Sequence, residues 1–185
     1  MRVKQIDNRL YAVQDIVSDD LSSLLLTHDW STEHGNMFLN QPGAYVYTAR
    51  KALDITRSKI LKRLDMELRQ AVKTLSKLIN LEFSYYYTDF WFDPPGFEIP
   101  MHTDCFVPCS FQVYWVGESN TGTTFCNTKQ QNDLRYQFDF IPNTGYLMLN
   151  LPEDNFQPLQ WHGMFQPITK NRFTTYSRLG PYFPL

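Results

Sequence analysis

The sequence predicts a mainly β protein with helices in its N-terminal part, and three observations carry that prediction. Beyond residue 83 the chain is a succession of short β-former-rich runs separated by Gly, Pro and Asn. Before it lies one long segment with helical periodicity. Aromatic residues make up 16% of the 185 residues and charged residues 19%, a composition that builds a packed core and not a disordered chain. Many short strands with such turns point to a sandwich, barrel or jelly roll, and one helix-rich layer packed on a double sheet is the economical arrangement.

Taken in order, the first 80 residues read as helical with loops. Ser18 and Asp19 offer caps to a short Leu-rich helix in "SDDLSSLLLTHDW", 18 to 30. The stretch 35 to 54 carries Pro42 and Gly43 without a clear period and reads as a loop with at most one short strand. Ile60, Leu64, Leu68, Val72, Leu75 and Ile79 then recur every three or four residues, the mark of a long amphipathic helix from about 55 to 79. "FSYYYTDFWF" (83 to 92) is a strand ending in the turn signal "DPPG" (93 to 96). A strand holding His102 and Asp104 follows. Runs at 109–117, 122–128, 134–142, 145–151, near Trp161 and at 172–179 bring the total to about eight strands. No repeats or low-complexity tracts interrupt the chain, so a single domain is expected over 1–185, with a helical and loop support region to about 82 and a β core over about 83–180.

Net charge is −2, which gives no global attraction to nucleic acid or anionic membrane. Nine of the 17 Lys and Arg lie between Arg50 and Lys77, a basic stripe that reads first as the solvated face of the long helix. No apolar run approaches a membrane span or a signal peptide. Cys105, Cys109 and Cys126 form no CxxC pair, fit no usual zinc spacing, and suit reduced thiols, so a cytoplasmic location is expected.

Chemistry concentrates in "FEIPMHTDCFVP", residues 97 to 108. On a strand, His102 and Asp104 share one face, with Cys105 turned away. A lone His-x-acid pair is weak evidence, because about 0.4 such pairs arise by chance in this composition. His28 and His34 lack acidic partners at strand spacing and read as surface residues. His162 opens the stretch leading into the last strand. Two His and one carboxylate with open coordination positions make the facial triad of non-haem Fe(II) enzymes. Ten residues past His162 comes Arg172, and Thr174 shares its strand face. An Arg aimed into a barrel calls for an anion, and its planar fork suits a carboxylate.

His102-x-Asp104, His162, then Arg172-x-Thr174 resembles the motif of the Fe(II)/2-oxoglutarate-dependent oxygenases, with the prolyl-hydroxylase-like branch nearest. "FWFDPPGFEIPMHTD", "IPNTGYLMLN" and "HGMFQPITKNRF" are similar to that family's flanking strands and turns, in the same order, over roughly residues 85–179. The resemblance implies a double-stranded β-helix (jelly-roll, cupin-like) core with helices packed on one sheet. It implies Fe(II), or a surrogate divalent metal, on His102, Asp104 and His162. 2-Oxoglutarate would be the co-substrate, its distal carboxylate on Arg172 and Thr174, with ascorbate as a reductant. O2 and a prime substrate, peptidyl or small-molecule, would complete a hydroxylation that releases succinate and CO2. Asp104, where halogenases of this kind carry Ala or Gly, points to hydroxylation.

A Tyr beside the co-substrate falls in "FQVYWVG", where Tyr114 and Trp115 compete and point opposite ways. Arg178, six residues after Arg172, resembles the second arginine of AlkB-type nucleic-acid demethylases, which is the rival enzyme reading. A non-catalytic cupin-type metal-binding protein is the rival outside enzymes, and it leaves Arg172 without a role. The loop 36–50 and the segment 127–137 are the candidates for covering the mouth.

Overall fold

A computed structural model describes residues 1–38, 50–104, 107–130, 132–150 and 160–184. Cys105 and most of the 36–50 loop lie outside these residues, and so does Gln131 of the 127–137 segment.

Eleven strands appear among the described residues: β1 (Arg2–Asp7), β2 (Leu10–Gln14), β3 (Gly35–Phe38), β4 (Arg50–Leu53), β5 (Leu81–Asp93), β6 (Cys109–Val116), β7 (Thr124–Cys126), β8 (Leu134–Gln137), β9 (Thr144–Leu149), β10 (Trp161–Gly163) and β11 (Arg172–Pro184). The helices are α1 (Asp19–Thr27) and α2 (Lys59–Ile79). Eight strands form one antiparallel sheet, ordered β1-β2-β9-β6-β11-β5-β4-β3, and β10-β7-β8 form a second.

The reading of the first 80 residues as helical with loops needs correction, since four strands lie there and extend the large sheet at both edges. The reason is positional. β1 is an edge strand that exposes Arg2 and Lys4, so its apolar alternation is too sparse to read. In the 35–54 stretch there are two strands, β3 and β4, paired to each other and then to β5.

The predicted long helix is present, starting at Lys59 and not near residue 55. Ser58 caps its start by accepting from the Leu61 N–H, and Asn80 ends it in the left-handed region at φ 57°. Leu61, Leu64, Leu68, Val72 and Leu75 are buried, whereas Ile60 and Ile79 sit at the margin of the stripe. Ser18 stands at the start of α1, yet its N–H and hydroxyl go to Glu67 of α2, tying the helices together.

Alternation along the central strands sorts side chains into two compartments. Phe90, Phe92, Phe111, Val113, Trp115, Leu147 and Phe173 face the helices and form the main core with them. Tyr114, Tyr146 and Met148 face the other way and pack with Phe125, Phe138 and Phe140 between the two sheets. The odd-numbered side of β6 is therefore structural, and the even-numbered side faces the space where the polar residues gather.

Candidate metal centre and anion pocket

His102 does not sit on a strand, which corrects the expected alternation of His102 with Asp104. It forms a one-residue bridge with His162, each backbone N–H donating to the other's carbonyl at 2.9 Å. Gly163 allows this approach: a Cβ there would lie 2.8 Å from the Ile99 carbonyl oxygen. Asp104 follows, its carbonyl accepting from Val107 N–H (2.9 Å) and from Asn150 Nδ2 (3.2 Å). The Asn150 amide also donates to Val107 O at 2.8 Å, so one side chain ties Asp104 and Val107 together.

The three side chains nevertheless converge. His102 Nε2 lies 3.5 Å from Asp104 Oδ1 and His162 Nε2 3.5 Å from Oδ2. One ligand atom from each can be chosen with all three within 4.8 Å of one another. Each Nδ1 is 2.9 Å from a backbone carbonyl, Pro100 O or Gln160 O. A carbonyl only accepts, so each Nδ1 carries its proton, and the Nε2 turned toward Asp104 is the atom of each ring that a cation would take once that nitrogen is deprotonated. Such a donor set fits a divalent cation with open positions. Phe125 stacks on the His162 ring and Tyr176 donates its hydroxyl to Asp104 Oδ2 at 2.5 Å.

Burial alone would raise the Asp104 carboxyl, but the imidazoles and the Tyr176 hydroxyl outweigh it and hold the group well below the usual carboxylate range. Burial likewise works against charge on His162, and Asp104 reverses that, leaving His162 above its ordinary value.

A cavity of about 330 Å3 opens beside this cluster. Arg172, Tyr176 and Arg178 of β11 line it, as do Tyr114, Tyr146 and Met164. β11 lies between β6 and β5 in the large sheet, so Arg172 is not at an edge. Its Nε and Nη2 bind the Asp93 carboxylate at 3.0 and 2.9 Å, and its Nη1 meets Thr121 O and Met164 Sδ. Asp93, read from sequence as the opening of a turn, is the last residue of β5 and fully buried. Arg50 of β4 binds the same carboxylate, Nε to Oδ1 at 2.9 Å and Nη2 to Oδ2 at 3.2 Å. Thr174 is buried on the same face of β11, and among the described residues its hydroxyl has no hydrogen-bond partner.

Tyr114, not Trp115, faces the cavity. Its hydroxyl donates to Thr123 Oγ1 at 2.8 Å and accepts from Thr123 N–H, and burial pushes it up to about 12. Trp115 packs on the helix side and donates to Thr175 Oγ1. Arg178 lies roughly 20 Å along β11 from Arg172 at strand rise and pairs with Asp89 at 3.3 Å. His28 and His34 stand apart, His28 pairing with Glu33.

Arg50, Asp93, Tyr176 and Asn150 were missed by sequence reasoning. Their partners lie 43 to 79 positions away, so no local spacing could mark them.

No family model and no curated protein matches the chain. Solved structures do. The chain is similar to a Trichoplax adhaerens prolyl hydroxylase in complex with a peptide of the hypoxia inducible factor oxygen degradation domain (TM-score 0.68, 11% identity, 94% of this chain and 84% of that one). It is similar to OsALKBH1 (TM-score 0.64, 9% identity, 96% and 99%). A third is HygX from Streptomyces hygroscopicus with nickel, 2-oxoglutarate and hygromycin B bound (TM-score 0.58, 12% identity, 94% and 83%). The chain thus has the double-stranded β-helix fold shared by the 2-oxoglutarate-dependent oxygenases, with a His-Asp-His cluster lining its cavity.

Proposed function

We propose that the protein is an Fe(II)- and 2-oxoglutarate-dependent dioxygenase that hydroxylates a C–H bond of a peptidyl or small-molecule substrate. The single observation that carries this reading is the pairing of the His102–Asp104–His162 cluster with a buried guanidinium in one cavity. A cupin-type metal protein needs the first, and in it Arg172 would serve only the buried ion pair with Asp93.

His102, Asp104 and His162 would hold the metal through Nε2, a carboxylate oxygen and Nε2. Pro100 O and Gln160 O fix the two rings, and Tyr176 orients the carboxylate. When bound, Fe(II) together with 2-oxoglutarate and O2 supplies the oxidising power for C–H hydroxylation, with succinate and CO2 as by-products. Thr174 offers a buried hydroxyl to the distal carboxylate next to Arg172. Only part of the Arg172 fork is open to that carboxylate, because Asp93 takes the Nε edge and the end-on Nη1/Nη2 edge remains. Displacing the Met164 thioether, a weak acceptor, from Nη1 costs little. Tyr114 and the aromatic residues around it exclude water from that end.

Succinate formed from 2-oxoglutarate, O2 and Fe(II) is the first test, because uncoupled turnover needs no prime substrate. Wild type is expected to make it. Arg172→Ala is expected to lose roughly 30- to several-thousand-fold in 2-oxoglutarate affinity, the cost of leaving one side of a buried charge pair, while still binding metal. Failure of the metal-loaded wild type to bind 2-oxoglutarate at millimolar concentration would favour the cupin-type reading.

A demethylase of AlkB type is the second reading, favoured by Arg178 lining the same cavity as Arg172. It requires equal losses of 2-oxoglutarate binding in Arg172→Ala and Arg178→Ala. The separation of the two arginines, roughly 20 Å along β11 at strand rise, supports unequal losses, with Arg172 the larger.

A further inference from the structure

The two oxygens of the Asp104 carboxylate face the histidines almost alike. His102 Nε2 stands 3.5 Å from Oδ1, and His162 Nε2 stands 3.5 Å from Oδ2. The three side chains alone do not tell a cation between the imidazoles whether to take one oxygen or both. Tyr176 breaks that symmetry. Its hydroxyl lies 2.5 Å from Oδ2, and among the described residues no hydroxyl or N–H reaches Oδ1 in the same way. An ionised carboxylate only accepts and a phenol keeps its proton at neutral pH, so the hydroxyl donates. Donor and acceptor are held by separate pieces of backbone, 72 positions apart. Tyr176 is half-buried in β11, where it pairs with Asp89 of β5 on one side and Gln112 of β6 on the other. Arg178 Cζ lies 5.8 Å from its ring centroid. The Asp104 carbonyl is tied to the Val107 N–H and the Asn150 amide.

We infer that Tyr176 is a positioning residue that reserves Oδ2 of Asp104, limits the carboxylate to one metal-binding oxygen, Oδ1, and so sets how many positions stay open on the metal. The inference rests on the metal part of the reading above and adds to it the work of one hydroxyl. An oxygen that accepts a short, charge-assisted hydrogen bond shares its charge and a lone pair with the proton. Turning that oxygen onto the metal means giving up the bond and leaving a half-buried phenol hydroxyl without its acceptor, which is costly. Oδ1 has no such competitor among the described residues. With two imidazoles and one carboxylate oxygen an octahedral ion keeps three open positions, and with both oxygens it keeps two. The keto acid end of 2-oxoglutarate fills two. Tyr176 therefore decides whether a position is left beside the bound co-substrate.

The test counts the water molecules on the bound metal. The protein is loaded with Mn(II) alone, and its exchangeable waters are counted by electron spin-echo envelope modulation in D2O. Wild type is expected to hold three. Tyr176→Phe removes only the hydroxyl, frees Oδ2, and is expected to hold two with its Mn(II) affinity kept. A merely supporting hydrogen bond gives a different result: affinity falls about 10–100-fold and the count stays at three. Tyr85→Phe removes a phenol hydroxyl that donates to Asp65 of α2, and as the control it keeps three. If circular dichroism shows that Tyr176→Phe is unfolded, Tyr176→Met takes its place. Met also lacks the hydroxyl, fills the space adaptably, and must show the same loss of one water. A wild-type count of two, a count of three in the folded variant, or a folded variant that no longer binds Mn(II) overturns the inference. Failure of the wild type to bind Mn(II) overturns instead the metal reading on which it rests.

Discussion

Asp104 is the residue on which the candidate metal site turns, because two Nε2 atoms and one phenol hydroxyl all address its carboxylate. Removing an imidazole leaves two protein ligands, which do not fix geometry. His162→Ala is expected to lower Mn(II) or Fe(II) affinity by several orders of magnitude, and calorimetric titration checks it; unchanged binding removes the assignment of the cluster. The three members of the cluster were legible in the sequence because few residue types bind metal, and His-x-Asp, a distant His and a following Arg-x-Thr form a rare pattern. Asp93 was not legible. A carboxylate before "PPG" reads as a turn former, and only the cross-strand pairing of Asp93 with Arg172 shows that it is a buried counterion.

Among elements, α2 was the easiest to read and is the easiest to test. Its apolar stripe packs on the large sheet, with Leu68 fully buried and Met66 64% exposed. Leu68→Ala is expected to cost about 2–5 kcal/mol of stability, whereas Met66→Ala should change it by less than about 0.5 kcal/mol. Urea denaturation monitored by circular dichroism separates the two, and equal effects would contradict the orientation of the helix. Strands were less uniform. β5, β6, β9 and β11 are long and apolar on at least one face, so their runs stood out. β1 and β3 are edge strands, and in β1, where every residue is exposed or half-buried, the backbone pairing that makes the strand leaves almost no side-chain signature. The bridge at His102 is shorter still, a single pair that no periodicity can announce.

At the scale of the whole molecule, the His-Asp-His cluster bridges the two sheets: His162 comes from β10 of the small sheet, and Tyr176, which holds Asp104, from β11 of the large one. Metal binding should therefore stabilise the assembled fold and not one element. With Mn(II) at a hundredfold excess over its Kd, the native state gains about 2.7 kcal/mol, a rise in Tm of roughly 5–10 °C for a chain of this size. Thermal unfolding followed by circular dichroism measures it. No shift in wild type, or an equal shift in His162→Ala, would sink the coupling.

The residue types and their order determined the β-rich core, the long helix, the His-Asp-His set and the arginine after it, since each rests on local composition or on spacing along the chain. Only the tertiary structure decided that Tyr114 rather than Trp115 faces the cavity, that Tyr176 and Asn150 hold Asp104, and that Arg50 shares Asp93 with Arg172. These are contacts between strands distant in sequence. Their partners are chosen by sheet order and register, and a residue's own neighbours carry no record of either.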